Sequence, residues 1–98
     1  MKMIDRMIEH IEEELDGAKE YAEKYIEHKA KGDMQRANKY KEMASDELRH
    51  ASYVHEWALV DIENLKKVYT IPVEAEDKWM HAHKHFVECM GWIRQMIS

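Results

Sequence analysis

The chain has 98 residues, 45% of them hydrophobic and 36% charged, which bounds it to a single small domain, 1–98, of ordinary globular composition. Twenty acidic against fifteen basic residues leave a formal charge of −5, so no field favours nucleic acid or an anionic membrane, and neither is expected as a partner. Three Gly, one Pro and 9% aromatic residues give too little turn punctuation for many short strands, and the expected class is all-α.

The first predicted helix spans residues 2–31. Ile4, Met7, Ile8, Ile11, Leu15, Ala18, Tyr21, Ala22 and Tyr25 recur at three-to-four spacing, and only Gly17 interrupts the pattern. Gly32 then reads as a helix stop and Asp33 as the N-cap of the next helix. The second predicted helix spans 33–71, with Ala37, Tyr40, Met43, Ala44, Leu48, Ala51, Val54, Trp57, Ala58, Ile62, Leu65 and Val68 on its apolar stripe. Pro72 must end or bend it, and the two helices should form an antiparallel hairpin. A third helix over 73–97 carries Trp79, Phe86 and Ile93 at intervals of seven, with Ala82, Met90 and Ile97 between them. Helices so few and so short enclose a shallow core, so a homodimer or higher homo-oligomer is expected.

Two carboxylates stand on this apolar seam, where an ionised group costs several kcal/mol unless it is paired or bound to metal. Glu14 lies seven residues after Met7 and seven before Tyr21; Glu47 lies seven after Tyr40 and seven before Val54. His50 follows Glu47 by three residues, so Glu47-Leu48-Arg49-His50 is an E-x-x-H motif whose side chains share one helix face. In an antiparallel hairpin, facing residues have numbers that average to the turn position. Glu14 and His50 average to 32, the position of Gly32, so Glu14, Glu47 and His50 should converge roughly 25 Å from the hairpin tip, in a dry site roofed by Tyr21. Two carboxylates and one imidazole form a hard donor set suited to iron or manganese rather than to structural zinc. Four-helix di-iron carboxylate proteins need a Glu from each of two helices and a Glu-x-x-His from each of the other two, and this hairpin supplies one of each. Two copies would supply four Glu and two His.

Glu14, Ala18 and Tyr21, followed by Glu47-x-x-His50-Ala51, resemble the ferritin-like superfamily as seen in rubrerythrins, bacterioferritins and short encapsulated ferritins. The resemblance covers residues from about 4 to 60. It implies that Glu14, Glu47 and His50 are ligands and catalytic residues of a di-iron site shared across a homodimer. It further implies that Tyr21 hydrogen-bonds a ligand carboxylate and that ferrous iron is oxidised there by oxygen or peroxide, a ferroxidase activity. Full-length relatives carry two such hairpins, so a dimerising half-ferritin is the nearest analogy. An encapsulating shell is a further partner in that analogy, although no segment resembling a docking tail follows the third helix.

Other features carry alternatives. His81 and His85, spaced i, i+4 and followed by Glu88, read either as a second metal site or as a solvated flank, and His83 lies between them. Asp61 falls on the seam two heptads after Glu47, either on a transfer path or at the solvated end of the bundle. The lone Cys89 has no partner for an internal disulfide and reads as packed rather than reactive. Together with an opening, Met1-Lys2-Met3-Ile4-Asp5, that lacks the apolar stretch of a secretory signal, it sets the expectation of a reducing, cytoplasmic environment. The alternative function for the whole chain is a metal-free helical module for self-assembly or protein interaction.

Overall fold

The computed structural model describes residues Met1–Ser98 and contains three helices and no strand: α1, Lys2–Ala30; α2, Met34–Lys66; α3, Val73–Met96. The hairpin turn forms as its sequence specifies. Gly32 takes φ 78°, a left-handed conformation that other residues resist. Around it the Asp33 N–H donates to the His28 carbonyl at 2.9 Å and the Gly32 N–H to the Lys29 carbonyl at 3.0 Å, the paired bonds of a Schellman stop. The Asp33 side chain then accepts from the Arg36 N–H at 3.1 Å, capping α2.

Helix α2 ends at Lys66, five residues short of the expected 71. Pro72 disfavours helical backbone at Ile71, and the chain closes off earlier with Val68 and Tyr69 N–H groups donating to the Leu65 carbonyl. The shorter helix leaves a loop in which Ile71 is buried, and Pro72 stands at the N-cap of α3 with extended ψ of 143°. Lys66 Nζ pairs with Glu76 at 3.1 Å and ties the end of α2 to the start of α3.

The α1–α2 interface is built from small residues. Ala18 and Ala22 on α1, and Ala37, Ala44, Ala51 and Ala58 at heptad spacing on α2, are all at most 1% exposed. Side chains of this size let two helix axes come together at the short end of the usual 8–10 Å range. Ile4, Ile8, Ile11 and Leu15 of α1 continue the core toward α3, where Trp79, Phe86, Met90 and Ile93 are buried against them. Helix α3 runs in the same direction as α1 and packs chiefly on it. Lys78 meets Asp5 at 2.6 Å near one end, while Cys89 and Trp92 lie beside Leu15 and Lys19 farther along. The molecule is 55 Å long and 18–19 Å across, about two helix diameters, so α3 nests in one groove of the hairpin and leaves the opposite groove open. No helix is long and apolar enough to cross a membrane.

The alanine stripe makes the interface intolerant of volume. Ala51→Leu should wedge the helices apart and cost about 1–3 kcal/mol, read as a lower midpoint in urea unfolding.

Candidate metal centre

The open groove holds the predicted constellation. Glu47, His50, Val54, Trp57 and Asp61 follow one another at alternating spacings of three and four on α2, and Met3, Met7, His10, Glu14, Gly17 and Tyr21 do so on α1. Ligand atoms of Glu14, Glu47 and His50 lie within 4.8 Å of one another, and this is the one group of three or more His, Cys, Asp or Glu side chains that converges in the molecule. His50 Nδ1 stands 3.7 Å from Glu14 Oε2 and 3.7 Å from Glu47 Oε1. The hairpin arithmetic that put Glu14 opposite His50 thus describes the real register.

The dry surroundings expected from sequence are absent in the single chain. The side chains of Glu14, Glu47 and His50 are 22%, 26% and 50% exposed, because α3 covers the other groove and nothing of this chain covers this one. Tyr21 does not roof the site by a hydrogen bond. Its ring stacks on Tyr40 at 6.2 Å, Tyr40 stacks in turn on His28 at 5.3 Å, and the Tyr21 hydroxyl bonds neither carboxylate.

The two carboxylates burden each other. Glu47 is held above the ordinary carboxyl range, first by the Glu14 carboxylate beside it, then by partial burial; His50 acts against this. A cation between the two carboxylates would relieve their mutual repulsion.

Gly17 has a role that the sequence did not disclose. A Cβ built there would sit 3.2 Å from Glu47 Oε2 and 3.6 Å from its carboxyl carbon. A mid-helix Gly costs about 1 kcal/mol relative to Ala, and this one leaves room for the Glu47 carboxylate on the side facing α1. Gly17→Ala should therefore raise helix stability while displacing Glu47 by a few tenths of an ångström. A weaker metal affinity together with a higher melting temperature would show it. The signal in the sequence is a Gly one turn after a seam carboxylate.

Two further histidines were missed. His10 Nε2 lies 3.6 Å from Glu14 Oε1, on the side of that carboxylate away from His50. His55 is 8% exposed, the one buried polar residue of the chain. Its Nε2 meets His83 Nδ1 at 2.8 Å, and its ring stacks on Phe86 at 4.0 Å and Trp79 at 5.7 Å. His55 lies on the Leu48, Ala51, Ala58, Ile62 stripe, so its burial was readable from periodicity.

The three histidines of α3 do not assemble a second metal site. His83 turns inward to His55, His85 approaches the Cys89 thiol at 3.4 Å, and His81 is exposed. Burial pushes the Cys89 thiol up, in keeping with a packed rather than a reactive cysteine. Asp61 is exposed and lines the open groove beside Met3, Met7, His10 and Trp57.

Comparison of the chain with protein-family models, curated proteins and solved structures finds no match.

Proposed function

We propose that the chain is an iron-binding protein of ferritin-like type that oxidises ferrous iron at a two-metal site shared by a homodimer. The observation that carries this reading is the convergence of Glu14, Glu47 and His50 from two helices within 4.8 Å. The donor set fits the ion: two carboxylates and one imidazole suit iron, with manganese as the nearest alternative. Three protein ligands also leave coordination positions open, which a reacting metal needs and a structural one lacks.

The second copy is argued from the same groove. One protomer offers half the residues of a di-iron carboxylate site, and a two-fold axis over the groove doubles them to four Glu and two His. Met43, Met3 and Trp57 are 40%, 39% and 62% exposed along or beside this face, and a partner would remove them from water together with the site. Two ferrous ions are the substrate. Each gives one electron to dioxygen, which takes up two protons and leaves as peroxide. Within the protein, the carboxylates hold the ions and bear the added positive charge, and the groove, once covered, excludes bulk water.

An anaerobic calorimetric titration of Fe(II) into protein of known oligomeric mass tests the reading. Saturation of the tight sites near two irons per dimer is expected, with loss of at least 100-fold in affinity and unchanged helicity in His50→Ala. Loss of Fe(II) under oxygen then separates oxidation from simple binding. A metal-free assembly module is the rival, favoured by exposed Trp92, Val73 and Val87, which lie on α3 away from the site. In that case dimers form, iron does not bind, and His50→Ala changes nothing.

A further inference from the structure

We propose that His10 is a fourth metal ligand of each protomer and that Glu14 is a bridging carboxylate serving two cation positions, an inference that rests on the metal-binding reading above. Glu14 presents its two oxygens to two different imidazoles: Oε2 faces His50 Nδ1 at 3.7 Å, and Oε1 faces His10 Nε2 at 3.6 Å. Neither contact is a hydrogen bond, for both are too long. Both have instead the span of two ligands on one ion. A cation about 2.1 Å from a nitrogen and an oxygen, at an angle of about 90° to 120°, separates them by roughly 3.0 to 3.6 Å. At 3.6 and 3.7 Å the contacts in the chain sit at and just beyond the open end of that range, so an ion would draw each pair together by a small side-chain movement.

The helix supplies this second pair as directly as the first. His10 and Glu14 are spaced i, i+4 on α1, and Glu47 and His50 are spaced i, i+3 on α2, so each helix offers one imidazole and one carboxylate on the same open face. His10 is 53% exposed and makes no hydrogen bond, so no competing contact holds its ring. Lys2, Arg6 and Asp61 line the same stretch of groove and leave one positive charge there, which the adjacent Glu14 carboxylate offsets, so the attraction for a cation at His10 comes from Glu14. The first position has three protein ligands: Glu14 Oε2, Glu47 and His50. The second has two, Glu14 Oε1 and His10, with water filling the remainder. It is therefore the weaker position, and its ligand class is a divalent first-row transition ion.

The test uses the full chain and Co(II), whose visible absorption reports its ligands, in anaerobic titrations of the wild type, His10→Gln and His50→Ala. Two classes per protomer are expected, a tight one and one at least tenfold weaker. His10→Gln should abolish the weaker class and its share of the absorption while sparing the tight one; His50→Ala should remove the tight class. Circular dichroism checks that all three proteins retain their helices. If His10→Gln titrates like the wild type and His50→Ala abolishes binding, His10 is no ligand and the metal-binding function stands without it. If the wild type binds no Co(II), or binding is indifferent to His50, the functional reading fails and His10 falls with it.

Discussion

Glu47→Gln is expected to make the metal-free protein more stable and, under the proposed function, to weaken iron binding at least 100-fold. Ligand atoms of Glu14 and Glu47 lie within 4.8 Å of each other, and the Glu14 carboxylate, with partial burial, holds the Glu47 carboxyl above its ordinary range. A group whose pKa rises on folding adds stability below its unfolded value and loses it as pH climbs through the folded one. At neutral pH the pair is therefore a cost. Gln keeps the shape of Glu47 and removes the repulsion. With solvent screening, the gain should be on the order of 1 kcal/mol, or about 4 to 8 °C in melting temperature for a domain of this size. Iron affinity should fall at least 100-fold, since an amide oxygen brings no charge to the site. Thermal melts with and without Fe(II) check both halves: the variant should melt higher than the wild type in chelator and show no upward shift with iron. A variant that melts lower in chelator would mean that the ionised Glu47 serves the fold.

The pairing of these effects bears on what the groove is for. A stability optimum would put apolar or small neutral residues at 14 and 47, in register with Ala18, Ala44 and Ala51. The chain places two carboxylates there and gives up helix propensity at Gly17 to make room for one of them. Function that strains a fold commonly shows this pattern of local rules broken at one place.

The architecture was legible because its signals are local. Gly32 and Asp33 set the turn, the turn sets which residues face each other, and from that register Glu14 opposite His50 follows without further information. What sequence could not supply was the rotation of each helix relative to the third. Periodicity marks a broad apolar stripe on α1 and α2, and α3 covers only one edge of it. Hence Leu15 and His55 are buried while Glu14 and His50, close to them in sequence and on the same stripe, face an open groove. The same ambiguity hid the partner of His83: three histidines at alternate positions on one helix point in different directions, and only the packing of α3 shows which of them turns inward.

The buried pair His55–His83 gives the second large effect, a loss of stability on mild acidification. His55 lies between Phe86 and Trp79, and its Nε2 shares a 2.8 Å hydrogen bond with His83 Nδ1, which requires one of the two nitrogens to be unprotonated. Burial, and then the His83 charge, push the His55 pKa below its ordinary value. The unfolded chain thus binds a proton at His55 more readily than the folded chain, and stability must rise with pH across the interval between the two values. The contribution is complete above about 6.5, and it is lost as pH falls from there through the lower, folded value. Asp5, Glu27 and Asp33 are held below the ordinary carboxyl range, so their contributions fade only in stronger acid, while protonation of Glu47 acts in the stabilising sense. The dip just below 6.5 therefore belongs to His55. Its structural reading is release of α3, and Trp79 reports it, being 6% exposed where Trp57 and Trp92 are already open to solvent. Urea unfolding followed by tryptophan emission should give a midpoint that drops between pH 7 and 5 in the wild type. His55→Phe keeps the ring stack and leaves half-buried His83 to water, so its midpoint should stay nearly level over that range. An equal drop in the variant would place the proton uptake elsewhere in the chain.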